Sequence, residues 1–155
     1  MNSGASQKYN TMPLEDILSL PVKGIAEKNS VLFLWSTVPF LHDAFHVMNA
    51  WGFEYKTMLT WRKVMSCGLG FWFRGQTEHL LFGIRGQIKA FRSQKPNFIQ
   101  SHTLKHSEKP AKIRALISEV TKGLEPKIEL FARDRIQGWD CWGIEVPNSN
   151  QTILP

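Results

Sequence analysis

Lys109, Glu129 and Arg133 have the side chains and sequence positions best suited to bind a polar ligand. Lys109 lies at the start of a helix predicted over residues 107–120, where its ammonium group and the helix N-terminus together attract an anion. Glu129 and Arg133 flank the C-terminal end of a strand predicted over residues 127–132, and ligands of open α/β sheets bind at such ends. Without a ligand, Lys109 would be a solvated side chain and the other two would form a surface ion pair.

Aromatic and basic residues together indicate a flat, anionic partner. The chain has 6 Trp and 10 Phe, and Trp outside a core tends to lie in pockets and at interfaces. Its net charge is +6, and residues 56–114 contain 12 Lys and Arg against only Glu78 and Glu108. This distribution favours a nucleic-acid-binding face. An aromatic core and a solvated basic surface would explain the same counts without a ligand.

Several common catalytic motifs are absent from the sequence. It contains no nucleophile elbow, P-loop, HExxH pattern or GxGxxG pattern. His42 and His46 have the i, i+4 spacing of helical metal ligands, but no third ligand follows at a suitable spacing, so we expect no metal site.

Cys67 and Cys141 cannot build a disulfide framework, which favours a cytoplasmic protein. No apolar run approaches the roughly 20 residues of a membrane span, and we expect no membrane partner.

Alternating strand and helix patterns predict an α/β fold for this chain of 155 residues. Helices are predicted over residues 12–20, 37–52 and 107–120, and strands over residues 31–35, 53–61, 79–84, 127–132 and 139–146. The first strand is apolar throughout, which indicates burial on both faces, as in a parallel sheet. Residues 62–77 and 85–106 are predicted as long loops. We expect one domain over residues 1–146 and a tail over residues 147–155.

Five ordered stretches resemble the MT-A-seventy family of adenine amino-methyltransferases. They are YNTM at residues 9–12, FLW at 33–35, WGF to WRK at 51–63, EH to G at 78–86, and HSEKP with KIELFAR and GWDCWG within 106–143. Each short match is weak alone, but their order and spacing extend over nearly the whole chain. The single-domain length is similar to the bacterial and phage branch of the family.

The resemblance implies a Rossmann-like methyltransferase fold, a three-layer sandwich with a circularly permuted strand order. It also implies S-adenosylmethionine as cofactor and methyl transfer to the exocyclic N6 amine of adenine. That amine is a poor nucleophile and must be held in line with the sulfonium methyl group. The family holds it with an Asp-Pro-Pro-Trp motif, which this chain lacks. We therefore expect the first central strand to be missing, so that the sheet rearranges, leaves a gap or borrows a strand.

Family positions imply a cofactor site made of Lys109, Glu129, Arg133, Gly143 and Glu145. Lys109 matches the lysine that meets the methionine carboxylate of the cofactor, and a carboxylate at Glu129 could accept hydrogen bonds from ribose hydroxyls. Gly143 and Glu145 match a Gly-Asn-Glu/Gln element that contacts ribose and adenine. Ile144 replaces its Asn, which removes a polar contact and weakens the expectation of full cofactor affinity.

The same comparison implies a base pocket and a backbone-binding surface. Tyr9, Trp35 and Trp61 occupy family positions around the target base, where flat faces suit a base taken out of its stack. Core packing is the alternative for Trp35. Candidate phosphate contacts in the two long loops are Arg62, Lys63, Arg74, Lys89, Arg92 and Lys95. For any single one of them, a solvated charge is the simpler interpretation.

Two functional hypotheses remain open at this point. The first is an S-adenosylmethionine-dependent adenine N6 methyltransferase that acts on nucleic acid, with DNA favoured over RNA. Its catalytic residue is unknown, because the Asp-Pro-Pro-Trp motif would come from outside this chain. The motif would then lie upstream, either because the start of the sequence is misplaced or because the chain is truncated. The second is a catalytically silent nucleic-acid-binding subunit, as a homodimer or beside a partner. The absent motif and Ile144 favour the second hypothesis, whereas Lys109, Glu129 and Arg133 favour the first.

Overall fold

The computed structural model of the protein describes residues 11–64, 68–103 and 108–146, which form a mixed α/β arrangement. The helices are α1 (Leu14–Ser19), α2 (Val22–Ile25), α3 (Leu41–Ala50) and α4 (Ala111–Val120), with a 3-10 turn at Val38–Phe40. The strands are β1 (Ser30–Thr37), β2 (Glu54–Val64), β3 (Thr77–Arg85), β4 (Phe98–His102), β5 (Ile128–Leu130) and β6 (Asp140–Trp142).

Strand β3 lies inside a four-stranded mixed sheet with the order β1-β3-β2-β4. It pairs antiparallel with β1 and with β2, and β2 pairs parallel with β4. The carboxyl ends of β1, β2 and β4 therefore lie at one edge of the sheet, beside the start of β3. Ligands of α/β sheets bind at such an edge.

Helices cover both faces of this sheet. Leu81 is fully buried in a cluster with Met48 of α3, whereas its neighbour Leu80 lies in a second cluster with Trp61 and Ile113 of α4. Successive residues of a strand point to opposite faces, so α3 packs on one face and α4 on the other. Leu81 and Leu80, at 0% and 2% exposure, are centred between the two helical layers.

Strands β5 and β6 form a separate parallel pair that packs into the α3 cluster. Ile128 and Leu130 of β5 contact this cluster, as do Leu32 and Leu34 of β1. Among the described strands, β1 pairs only with β3 and β5 pairs only with β6. Each sheet therefore has an edge strand, β1 or β5, that pairs on one side only among the described strands. Both edge strands pack on the same hydrophobic cluster around α3.

The strand predictions are confirmed in kind, and β1 packs on both faces as expected, with Leu32 and Leu34 on the α3 cluster and Phe33 and Trp35 on the cluster of Trp61. The parallel pairing and full burial expected for β1 are wrong. β1 pairs antiparallel, and seven of its eight residues are half-buried rather than buried. Its apolar run fits a strand inside a sheet, but among the described strands β1 is an edge strand that pairs on one side only. A hydrophobic pattern predicts that a segment forms a strand, but it does not predict which strands that segment pairs with.

Two further predictions need correction. The loop predicted over residues 85–106 contains β4, which was missed because its sequence FIQSH is short and polar. The helix predicted from residue 107 begins at Ala111, because Pro110 has an extended ψ of 132° and serves as its N-cap residue. Lys109 therefore precedes the helix instead of lying in its first turn. Ser107, Cys67 and the tail over residues 147–155 lie outside the described residues.

Gly86, directly after β3, should tolerate no side chain. Its φ is +70°, and a Cβ there would lie 2.3 Å from the Lys28 carbonyl oxygen. We expect Gly86→Ala to lower the free energy of unfolding by about 2 kcal/mol in urea titrations, from backbone strain and overlap. Gly24→Ala is the matched control, since nothing lies within 4 Å of its Cβ position. Equal stability of the two variants would contradict this account of the turn.

Candidate functional site

Glu78, the second residue of β3, is a buried carboxylate held by two ammonium groups. Its side chain is 6% exposed. Lys63 Nζ lies 2.5 Å from Glu78 Oε1, and Lys109 Nζ pairs with Oε2. Glu78 lies directly opposite Trp61 in the register of β2 and β3, so Lys63, two residues after Trp61, shares its face. Lys109 reaches the same carboxylate from the segment before α4.

The two lysines reverse the effect that burial has on the pKa of Glu78. Desolvation by burial alone would raise the pKa of this carboxyl group, because it penalises the charged form. The charges and hydrogen bonds of Lys109 and then Lys63 outweigh burial, and the pKa lies below its ordinary value of 4.5. Glu78 is therefore ionised at neutral pH. Two ammonium groups against one carboxylate leave a local excess of one positive charge, which suits an anionic ligand.

Two tryptophans complete this cluster. Lys109 Nζ lies 5.1 Å from the ring centroid of Trp35, and Lys63 Nζ lies 5.3 Å from that of Trp61, both within range of a cation–π contact. The two indole rings meet edge to face, with centroids 6.1 Å apart. Glu78, Lys63, Lys109, Trp35 and Trp61 are called the lysine–tryptophan cluster below.

The tryptophans of the predicted base pocket differ in accessibility. Trp61 is 1% exposed, and its indole N–H donates a 2.9 Å hydrogen bond to Ser101 Oγ, so its ring lies inside the protein. Trp35 is half-buried at the end of β1 and keeps part of its surface open. Tyr9 lies outside the described residues. Of the three predicted pocket residues, the structure brings Trp35 and Trp61 together.

The other cofactor candidates surround β5 and β6. Glu129, in β5, pairs with Cys141 in the register of the two strands, and its Oε1 lies 3.4 Å from Arg114 Nη2 of α4. Glu129 Oε2 is buried and has no hydrogen-bond partner. Arg133 Nε lies 3.6 Å from Glu145 Oε2.

An acceptor without a partner fits a ligand that donates hydrogen bonds. Burying a polar atom without a hydrogen bond costs about 1–3 kcal/mol, and a ribose hydroxyl would supply the missing donor to Glu129. Gly143, two residues before the ion-paired Glu145, is buried. Ile144, between them in the sequence, is 77% exposed. The unpartnered oxygen of Glu129 therefore fits a ligand that carries hydroxyl donors, such as a nucleoside.

The predicted phosphate-binding residues have varied environments. Lys63 belongs to the lysine–tryptophan cluster, and Lys95 pairs with Glu119 at 3.1 Å. Arg62 donates to Gln100 Oε1 at 2.9 Å, and Arg74 donates to the Gly68 carbonyl at 3.4 Å. Both arginines are exposed at the β2–β3 end of the sheet, whereas Lys89 and Arg92 are exposed in the segment after β3.

The described residues form neither a metal-binding cluster nor a membrane-spanning helix. His42 and His46 stand one turn apart on α3 with ring centroids 4.4 Å apart, but the described residues include no group of three ligands that could hold a metal ion. None of the described helices has the length and apolarity to cross a membrane.

Glu78 is the member of the lysine–tryptophan cluster that the sequence alone did not single out. Its signal was present, since it is the only acidic residue between Glu54 and Glu108 in an otherwise basic stretch. An isolated acid at the start of an apolar strand indicates burial beside cations. Nothing in the linear sequence, however, indicated that Lys109 would be one of them.

Comparison with known proteins identifies the family. A family model described as MT-A70 matches residues 2–145. The chain belongs to the MT-A70 family. This confirms the resemblance drawn from the five ordered stretches, and the mixed sheet is consistent with a methyltransferase fold.

Relatives in the MT-A70 family include catalytic and non-catalytic proteins. The chain is 37% identical over 154 residues to the Type II methyltransferase M.MunI of Mycoplasma sp, which covers 97% of the chain and 65% of that protein. It is 26% identical to human N(6)-adenosine-methyltransferase catalytic subunit METTL3, over 81% of the chain and 23% of that protein. It is 28% identical to the Xenopus tropicalis non-catalytic subunit METTL14, over 94% and 36%. The chain thus spans less than two thirds of each of these relatives.

The buried carboxylate should make the fold sensitive to acid. We expect Glu78→Gln to lower the free energy of unfolding at pH 7 by about 2 kcal/mol, because two charged hydrogen bonds are lost. Ionised Glu78 stabilises the fold above the pKa of the unfolded carboxyl, and this contribution disappears as pH falls through the lower folded pKa. The difference between the two proteins should therefore shrink below pH 4.5.

Chemical denaturation across the pH range measures this difference. Glu119→Gln is the control, because Glu119 forms an exposed ion pair whose loss should cost less than about 1 kcal/mol. A Glu78→Gln deficit that stays constant down to pH 3 would show that packing, not charge, accounts for the stability.

Proposed function

We propose that this chain forms the cofactor-binding and base-holding part of an S-adenosylmethionine-dependent methyltransferase that acts on the N6 amine of adenine in nucleic acid, with DNA favoured over RNA. Membership of the MT-A70 family supports the reaction class. The preference for DNA follows from the resemblance to the bacterial and phage branch of the family, and the similarity to a Type II methyltransferase of Mycoplasma sp is in keeping with that branch. The chain spans only part of its relatives, so the whole activity is a proposal.

The positive excess of the lysine–tryptophan cluster is the observation that carries this proposal. Lys109 donates one hydrogen bond to Glu78, and 31% of its side-chain surface remains exposed. An ammonium group has three donors, so Lys109 can still bind an anion. The methionine carboxylate of the cofactor would neutralise the excess charge. Glu129, Arg133, Gly143 and Glu145 would then hold the ribose and adenine.

The residues on the acceptor side would hold and orient the target base. Bound S-adenosylmethionine supplies an electrophilic methyl group, and the protein must place the amine close to it and in line. Trp35, beside Lys109, would offer its exposed surface to the base. Trp61 would support Trp35 from beneath, edge to face. Lys89 and Arg92, with the exposed Arg62 and Arg74, would bind the phosphate backbone.

The catalytic carboxylate would come from one additional strand between β1 and β5. Asp-Pro-Pro-Trp is absent from the 155 residues, and both β1 and β5 have an edge without a partner among the described strands. Both edges border the α3 cluster through Leu32, Leu34, Ile128 and Leu130. A strand inserted there would join the two sheets into one sheet, in the permuted Rossmann-like order expected for the family.

A silent partner subunit of the same fold is the second candidate function. Two observations favour it, the absent motif and Ile144, which presents an apolar, 77% exposed side chain where the family pattern has a polar Asn. The similarity to a non-catalytic METTL14 subunit is in keeping with this alternative. Such a subunit would act as a homodimer or beside a catalytic chain, through its basic face.

Methyl transfer tests the two candidates directly. The chain alone, and a chimera extended at its N-terminus by a strand that ends in Asp-Pro-Pro-Trp, are incubated with radiolabelled S-adenosylmethionine and duplex DNA, single-stranded DNA or RNA. We expect the chimera to form N6-methyladenine, preferentially in DNA, and the chain alone to form far less. A folded chimera that binds cofactor but transfers nothing would favour the silent subunit.

Lys109 should discriminate between ligands with and without a carboxylate. We expect Lys109→Gln to weaken S-adenosylmethionine binding about 10-fold or more in calorimetry, since a charged hydrogen bond contributes about 1.5–3 kcal/mol. Binding of 5′-methylthioadenosine, which lacks the carboxylate, should not change. Lys112→Gln, an exposed cation on α4, is the control. Equal weakening of both ligands would indicate a structural role only, and no binding by the unsubstituted chain would contradict the cofactor site.

A further inference from the structure

The connection between β2 and β3 displays large apolar side chains to solvent. In the aromatic loop, defined here as residues 68–75, Leu69 is 96% exposed, Phe71 85%, Trp72 93% and Phe73 91%. The other exposed large hydrophobic residues of the described chain reach at most 77%, at Ile144. Burying one such ring is worth about 1.5–3 kcal/mol, so three adjacent rings left in water indicate a binding surface.

The aromatic loop is closed by hydrogen bonds between its own residues. Gly68 N–H donates a 2.7 Å hydrogen bond to the Gly75 carbonyl, and Arg74 Nε donates to the Gly68 carbonyl. A Cβ at Gly70 would lie only 2.0 Å from the Phe73 carbonyl oxygen, so the turn depends on glycine there. The backbone turns back on itself tightly, and the side chains of its tip point outward instead of packing on the sheet.

The aromatic loop extends from the edge of the sheet that carries the lysine–tryptophan cluster. β2 ends at Val64 and β3 begins at Thr77, and Lys63 N–H donates to the Gln76 carbonyl at 2.8 Å. Lys63 and Glu78 thus lie at the base of the loop. Whatever the loop contacts is brought next to the proposed base-holding residues.

Charge selects the partner of the aromatic loop. Between residues 56 and 107 the sole acidic residue is Glu78, which is buried and paired with lysines. Arg62 and Arg74 are exposed around the base of the loop. A second copy of this chain that docked through the same loop would bring like charge to this surface. A nucleic acid offers phosphates to the arginines and flat bases to the rings.

We propose that the aromatic loop is a wedge that inserts Trp72, with Phe71 and Phe73 beside it, between nucleic-acid bases next to the base held by the lysine–tryptophan cluster. Aromatic and apolar side chains that enter a base step unstack it, and base–aromatic stacking offsets part of that cost. The wedge would lower the cost of taking the target base out of the helix. This inference rests on the proposed nucleic-acid substrate.

Paired substitutions in the aromatic loop test the wedge. Binding of a fluorescein-labelled mixed-sequence DNA duplex is measured by anisotropy, and base unstacking by the fluorescence of 2-aminopurine placed at adenine positions. We expect Trp72→Ser to weaken binding about 10-fold and to abolish the 2-aminopurine increase, since one stacked base contributes about 1–3 kcal/mol. Leu69→Ser, equally exposed but without a ring, should have a much smaller effect.

A charge variant separates stacking from phosphate binding. Arg62→Gln, an exposed position outside the aromatic loop, should reduce the slope of log affinity against log salt by about 1 and keep the 2-aminopurine increase. Calorimetric binding of S-adenosylmethionine, unchanged in all three variants, verifies that each one is folded.

Three results would overturn the wedge. Unchanged DNA affinity and unstacking in Trp72→Ser would do so and leave the proposed function intact. A shift from dimer to monomer in sedimentation for both Trp72→Ser and Leu69→Ser, with DNA binding retained, would assign the loop to contacts between copies of the chain. No binding of DNA or RNA by the unsubstituted chain would remove the proposed substrate and the wedge with it.

Discussion

The ion pairs of Glu78 are the constraint on which the site depends. A carboxylate whose side chain is only 6% exposed is tolerated only with charged partners, and Lys63 and Lys109 supply them. These two contacts tie together β2, β3 and the segment that leads into α4. They also place both ammonium groups against the indole rings of Trp35 and Trp61. Charge, aromatic surface and the strand ends are thereby fixed at one edge of the sheet.

The sequence was sufficient for what depends on local pattern and on family resemblance. Alternation in residues 53–61 and the apolar run HLLFGI indicated β2 and β3, which the structure extends to Glu54–Val64 and Thr77–Arg85. The ordered family segments indicated the family. The structure shows that Lys109 and Trp35, both singled out from the sequence, are in contact. The roles assigned to the site residues and the extent of the domain stay predictions.

What the sequence could not provide depends on pairing over long distances. β1 has the composition of an interior strand of a parallel sheet, yet among the described strands it pairs only with β3, in antiparallel orientation. α4 begins after Pro110, so Lys109 lies before the helix. From there Lys109 binds the buried carboxylate of Glu78, in addition to any ligand. The exposure of Phe71, Trp72 and Phe73 was also hidden, because aromatic residues are more often found in cores.

The contact of Lys109 with Trp35 has a consequence for how the binding of one ligand affects the binding of the other. On the proposed assignment, one ammonium group faces the cofactor carboxylate and also the ring that holds the base. A ligand that moves Lys109 therefore alters the electrostatic character of Trp35. Binding linkage is reciprocal, so each substrate would change the affinity for the other by the same factor. Cofactor and base would then bind cooperatively, through a single side chain and without movement of a domain.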